Sequence, residues 1–198
     1  MSEKQQNQSQ APLNVQYRLN KTVVMVGMMG AGKTAVGRGL AQRLGVPFLD
    51  SDAEIEAASS LTVPEIFARD GEPFFRMKET QVISRLLDTE RGVLSTGGGA
   101  FLAEENRANI SARGVSVWLD ADLDLLWQRV RHKDTRPLLR TADPRTTLGE
   151  IYAARVPLYA LADVAVTSLP DLSIDEMVDR VLTTLARERG DVLECVNA

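Results

Sequence analysis

The stretch "GMMGAGKT", residues 27–34, constrains this chain more than any other. It satisfies G-x-x-x-x-G-K-[ST] through Gly27, Gly32, Lys33 and Thr34. It follows the β-rich run Thr22–Val26. It opens a helical pattern, Thr34–Leu44, with Val36, Leu40 and Leu44 on one face and Gly45 as its stop. Glycines let successive backbone N–H groups converge on a polyphosphate, and a helix N-terminus adds a field favourable to anions. Lys33 is placed to reach the β- and γ-phosphates as a point charge. The Thr34 hydroxyl is placed to ligate Mg2+. The bland alternative is a glycine turn before an ordinary helix; strand, motif and helix in this order favour the phosphate cradle.

The remaining chain repeats the same alternation. Val46–Leu49, Val93–Thr96, Val115–Leu119 and Val164–Thr167 read as four more strands. Ala53–Ala58, Val63–Ala68, Phe74–Leu87, Ala103–Ser111, Leu123–Arg131 and Ile174–Arg187 read as helices between and after them. Strands separated by helices predict right-handed crossovers, so the fold class is α/β: a five-stranded parallel sheet in a three-layer α/β/α sandwich. Fully apolar strands agree with a sheet buried on both faces. The stretch 131–146, "RHKDTRPLLRTADPRT", breaks the rhythm and reads as a mobile lid, with a solvated loop as the plainer option. We expect a disordered polar tail over 1–19, one P-loop domain over 20–190, and a C-terminal tail over 191–198.

Composition removes several chemistries. His132 is the only histidine and Cys195 the only cysteine among 198 residues. That excludes an internal disulfide, and it removes a multi-histidine zinc site and a Ser-His-Asp triad as strong candidates. The net charge of −4 argues against a nucleic-acid backbone as main partner. The N-terminal residues lack the apolar core of a signal peptide, and no apolar run is long enough for a membrane span. A cytoplasmic protein is expected.

The segment "PFLDSDAEI", residues 47–55, sets Asp50 and Asp52 just past the second strand. Residues i and i+2 of an extended chain share a side, so both carboxylates are expected over the same crevice. Ligands of open parallel sheets bind beyond the carboxyl ends of the strands. One carboxylate can help to hold hydrated Mg2+, and the other can take the proton of an attacking hydroxyl. A helix cap by Ser51 or Asp52, for a helix opening at Ala53, is the structural alternative.

Scattered arginines and glycines complete the pattern: Arg76 in "EPFFRMKE", Arg136 in "TRPLL", Arg155 in "ARVPLYALAD", and the triplet Gly97, Gly98 and Gly99 in "LSTGGGA". Taken singly, none identifies a substrate. Taken in order, "GMMGAGKTAVG", "LDSD", "IFARDGEPFFR", "STGGG", "RPLL" and "RVPLY" resemble shikimate kinase, from about Val23 to about Ala165. The resemblance implies a fold like the nucleoside-monophosphate-kinase branch of P-loop proteins, with a closing lid. It implies ATP as co-substrate with Mg2+, and shikimate as acceptor of the phosphoryl group at its 3-hydroxyl.

Position by position, the resemblance implies that Gly30, Ala31, Gly32, Lys33, Thr34 and Ala35 surround the nucleotide phosphates. Thr34 ligates the metal and Asp50 stands in its outer shell. Asp52 binds the acceptor hydroxyls and takes the proton. Arg76 and Arg155 clamp the shikimate carboxylate, with Gly97, Gly98 and Gly99 against the ring. Arg136 arrives from the lid and, with Lys33 and Asp52, is catalytic. Arg129 lies near the adenine. One departure stands out. Many members carry a basic residue near the adenine after the fifth strand, where this chain reads "VTSLPDLS", so backbone contacts are expected there. The rivals are a related kinase of another hydroxy acid, such as gluconate, and a non-catalytic nucleotide-binding regulator. A monomer is expected for so small an enzyme.

Overall fold

The computed structural model describes residues 16–132 and 137–196. In chain order the elements are β1 (Gln16–Leu19), β2 (Thr22–Val26), α1 (Lys33–Leu44), β3 (Phe48–Asp50), α2 (Ser51–Ser59), α3 (Val63–Thr89) and β4 (Val93–Ser95). Then come α4 (Glu104–Arg113), β5 (Gly114–Asp120), α5 (Leu123–Val130), α6 (Pro144–Tyr159), β6 (Val164–Thr167), α7 (Ile174–Glu188) and β7 (Leu193–Val196). Five strands form one sheet in the order β3-β4-β2-β5-β6, every neighbour parallel. Helices α1 and α7 pack together on one face, and α3 and α4 on the other. This is the expected three-layer sandwich. Strand β2, buried along its whole length, lies at the centre.

The chain first runs β2-β3-β4 on one side of β2 and then crosses to β5 on the other. The order therefore reverses beside β2, and the carboxyl end of that strand opens a crevice. The loop after β2 is the phosphate-cradle motif. The loop after β4 holds the glycine triplet.

Local chemistry explains where the boundaries fall. Strand β3 starts at Phe48 rather than at the expected Val46. The N–H of Val46 still donates to Ala41 O (3.0 Å) and that of Gly45 to Gln42 O (3.2 Å), so both residues close α1 in a Schellman turn. The two helices expected over 63–68 and 74–87 are α3, broken where Gly71 adopts φ 83°, with Pro73 just beyond. Helix α6 begins at Pro144, where Asp143 accepts from the N–H of Thr146 at 3.1 Å. It thus takes in the last residues of the expected lid, and Pro137–Leu139 forms a 3-10 turn within the rest. Residues 133–136 of that lid lie outside the described residues.

Both expected tails are corrected in part. β1 pairs antiparallel with β7, Tyr17 opposite Cys195. Ion pairs Arg18–Glu194 (2.5 Å) and Lys21–Asp191 (2.7 Å) flank the ribbon. Leu193 is buried while Glu194, Cys195 and Val196 are exposed. Residues 1–15 and 197–198 of these tails lie outside the described residues. Among the described residues no helix is long and apolar enough to cross a membrane.

Candidate active site

In the loop after β2, Gly30 (φ 83°) and Gly32 (φ 96°) hold left-handed backbone that side chains disfavour. Gly32 is also the N-cap of α1 and carries no capping side chain. The first N–H groups of α1 are thus left for an anion. Lys33 lies across the loop and donates to the carbonyls of Gly27 (2.8 Å) and Met28 (2.9 Å). The exposed Thr34 points Oγ1 to within 3.5 Å of the buried Ser95 Oγ at the end of β4. These residues line a cleft of about 500 Å3 that also includes Ala31, Ala35, Asp50, Asp52 and the first two glycines of the triplet. Its far end is walled by Arg129, Ser168, Leu172, Ser173, Ile174 and Met177.

A second cavity of about 190 Å3 adjoins the first. It is lined by Phe67, Phe75, Arg76, Glu79, the whole triplet Gly97–Gly99, Leu138 and Arg155. Asp52, Met29, Gly97 and Gly98 belong to both spaces. Asp52 therefore stands at the junction between the phosphate cradle and the second cavity.

The two aspartates reach this crevice differently from the strand-alternation argument. Helix α2 opens at Ser51, so Asp50 ends the strand and Asp52 lies in the first helical turn. Asp50 is the cap: its Oδ1 accepts from the N–H groups of Asp52 (3.0 Å) and Ala53 (3.3 Å). The structural alternative, a cap at Ser51 or Asp52, is thus not what forms: Asp50 takes the cap and releases Asp52. Among the described residues Asp52 Oδ1 is buried with no hydrogen-bond partner. Burial first, and the charge of Asp50 second, raise its pKa above the ordinary aspartate value, against the pull of Lys33.

Glu79 is fully buried on α3, and its carboxyl is pushed up to about 6 by burial, opposed by Arg76. Its Oε2 accepts from Arg76 Nη1 at 2.7 Å, while Oε1 has no partner among the described residues. Glu72 holds the other edge of the same guanidinium at 3.1 Å. A β-carbon on Gly97 would lie 3.1 Å from Asp52 Oδ1 and 3.2 Å from Glu79 Oε1. Two unsatisfied acceptor oxygens thus face one spot beside the glycine loop, a setting for donors such as ring hydroxyls. One on Gly98 would lie 3.6 Å from Arg155 Nη1, and one on Gly99 2.4 Å from Arg76 Nη2. The glycine backbone therefore runs between the two arginines, in ordinary contact range of Arg155 at Gly98 and closer than a β-carbon allows to Arg76 at Gly99.

Thr34, Asp50 and Ser95 supply hard oxygens where a divalent cation could sit. Among the described residues no cluster of three or more His, Cys, Asp or Glu could hold a metal by itself. A hydroxyl and a carboxylate, completed by phosphate and water oxygens, is the donor set that Mg2+ takes.

A family model described as shikimate kinase matches residues 29–186. The chain belongs to the shikimate kinase family. It is 71% identical to the shikimate kinase of Ruegeria pomeroyi, covering 89% of this chain and 90% of that protein. Identity to the shikimate kinase of Cereibacter sphaeroides is 64%, covering 91% and 89%. Among solved structures, shikimate kinase from Acinetobacter baumannii in complex with shikimate superposes with a TM-score of 0.79 at 37% identity, covering 85% of this chain and 94% of that one. A gluconokinase from Sinorhizobium meliloti reaches a TM-score of 0.58 at 21% identity and speaks to the fold alone.

Within the family frame, the residues singled out from sequence divide clearly. Gly30 to Ala35, Asp50, Asp52, Arg76, Gly97 to Gly99, Arg129 and Arg155 all line one of the two joined spaces. Arg136 lies outside the described residues. Arg129 approaches the carbonyls of Gly30 and Ala31 (3.4 and 3.5 Å) and Ser168 Oγ (3.3 Å). Ser168 thus occupies part of the region where no cation follows the last strand of the sheet. The sequence reading missed several residues at or beside the site, among them Glu79, Ser95 and Tyr159. Glu79 had a signal, since it follows Arg76 by one helical turn. Ser95 and Tyr159 had none beyond lying in "LSTGGG" and "RVPLY".

Proposed function

We propose that this protein transfers the γ-phosphoryl group of ATP to the 3-hydroxyl of shikimate, releasing shikimate 3-phosphate and ADP on the route to chorismate and aromatic amino acids. We place the reaction in the cytoplasm, on a monomer. The observation that carries the proposal is Asp52 at the junction of a phosphate cradle and a cavity bearing two arginines. Nucleotide phosphates enter from one side and a hydroxylated acid from the other, so the acceptor oxygen and the terminal phosphorus meet beside one carboxylate.

The transfer is an in-line displacement. The substrate O–P bond forms as the bond from phosphorus to the ADP oxygen breaks, and the hydroxyl proton passes to Asp52 Oδ1. A carboxylate whose proton affinity is raised by burial is a better acceptor for that proton than an ordinary aspartate. The transition state is loose, so positioning and charge dominate. Lys33 and Arg136 stabilise the phosphoryl oxygens, and Arg76 and Arg155 grip the carboxylate through planar guanidinium forks. Thr34, and Asp50 through water, would hold Mg2+, which when bound neutralises phosphate charge. Closure of the segment around Arg136 excludes water and limits hydrolysis of ATP.

The test is ADP release, measured by a coupled assay with shikimate and, separately, with gluconate. Turnover on shikimate alone is expected. Turnover on gluconate alone would transfer the protein to the other acceptor, and nucleotide binding without ADP release on any acid would make it a regulator.

A further inference from the structure

Tyr159 ends α6 and is fully buried, its ring stacked on Trp118 of β5 with centroids 6.4 Å apart. Neither the aromatic stack nor the core requires a hydroxyl. Yet the hydroxyl donates to the carbonyl oxygen of Gly98 at 2.5 Å. Arg155 stands one helical turn earlier, on the same face of α6. Its guanidinium favours the ionised phenol by charge and by hydrogen bonding, although burial outweighs it and raises the Tyr159 pKa. Arg155 Nη1 and the Tyr159 hydroxyl approach the same spot on Gly98, at 3.6 and 3.8 Å from where a β-carbon would sit.

The glycine loop needs an external hold. Three consecutive glycines have no side chains to fix them and a wide choice of backbone conformations. In a trans peptide the N–H points opposite to the C=O. With the Gly98 carbonyl aimed at α6, the Gly99 N–H is aimed away from it. The next Cα, that of Gly99, is the one against Arg76. A single phenol therefore touches the peptide that separates the two arginines.

We propose that Tyr159 is a positioning residue for the acceptor. Its hydroxyl ties Arg155 and the Gly98–Gly99 peptide into one register, fixing the spacing between Arg155 and Arg76 and so the grip on a carboxylate. This rests on the acceptor being a carboxylic acid, as proposed above.

The test is Tyr159→Phe, which keeps the ring and its packing. Loss of one buried hydrogen bond beside a charge is expected to raise the shikimate KM about tenfold. The kcat is expected to stay within about threefold, because the clamp acts on the bound ground state. ADP affinity, measured by calorimetry, is expected to stay unchanged. Added to Arg155→Ala, Tyr159→Phe is expected to raise KM little further, since both act through one arginine. An unchanged KM, equal losses in ADP and shikimate affinity, or full additivity with Arg155→Ala would each overturn the relay. An unmodified protein that releases no ADP with shikimate would instead overturn the functional reading, and the relay with it. An active parent beside an indifferent Tyr159→Phe removes the relay alone.

Discussion

Replacing Gly99 by alanine tests the site with one carbon atom. Gly99 sits at φ −92° and ψ −16°, backbone that alanine adopts freely, so the substitution introduces no main-chain strain. The new methyl would lie 2.4 Å from Arg76 Nη2, 2.6 Å from Nη1 and 2.7 Å from Cζ. Contacts between heavy atoms settle near 3.5 Å, so the guanidinium must retreat by about 1 Å. Nη1 is also the donor to the buried Glu79 Oε2 at 2.7 Å. A shift of about 1 Å takes that bond past its useful range. Charge-assisted hydrogen bonds are worth about 1.5–3 kcal/mol each, which predicts a rise in the shikimate KM of about 10- to 100-fold. ADP affinity, read by calorimetry, is expected to hold, and so is the far-UV circular dichroism. Gly190→Ala, at a position with nothing within 4 Å, serves as the control and should leave KM alone. A Gly99→Ala protein with a KM within twofold of the parent would refute the placement of Arg76 in the acceptor clamp.

Three further substitutions probe the other parts. Asp52→Asn should fold normally and lose about 100- to 10,000-fold in turnover; a near-normal rate in the coupled assay would remove Asp52 as proton acceptor. Arg155→Ala should raise the shikimate KM while sparing nucleotide affinity, and an unchanged KM would take it out of the clamp. Glu79 titrates at about 6 in the fold against 4.5 ordinarily, so the folded chain holds this proton more tightly than the unfolded one. The contribution of Glu79 to stability is therefore complete below pH 4.5 and is lost as pH rises through 6, about 2 kcal/mol in all. In Glu79→Gln that loss should vanish: the stability of the variant relative to the parent, from urea titrations, should improve by about 2 kcal/mol between pH 4.5 and pH 7.5. A difference independent of pH would contradict the burial argument.

The contiguous signals were legible. A strand, a glycine loop and a helix are local, so "GMMGAGKT" announces its own geometry, and the alternation of apolar runs with helical patterns announces a parallel sheet. The same locality explains why Asp50 and Asp52 reach the shared crevice by a route other than strand alternation. Strand alternation and helix capping make competing claims on one short segment, and the residue at which α2 begins decides between them. Asp50 took the cap, which is why Asp52 Oδ1 is left without a hydrogen-bond partner among the described residues. The termini failed for the opposite reason: the ribbon joins Arg18 to Glu194 across 176 positions, and neither strand has a periodicity of its own.

By itself, then, the sequence determined what kind of sheet the chain builds and which of its motifs lie at the rim of that sheet, because those properties follow from residue type and short-range spacing. Only the tertiary structure decided the rest. It set the reversal of strand order beside β2, the meeting of two cavities at Asp52, the buried Glu79 under Arg76, and the phenol of Tyr159 on the Gly98 carbonyl. Each of these depends on contacts between distant segments, where burial and neighbouring charge, rather than residue identity, fix what a carboxylate or a hydroxyl can do.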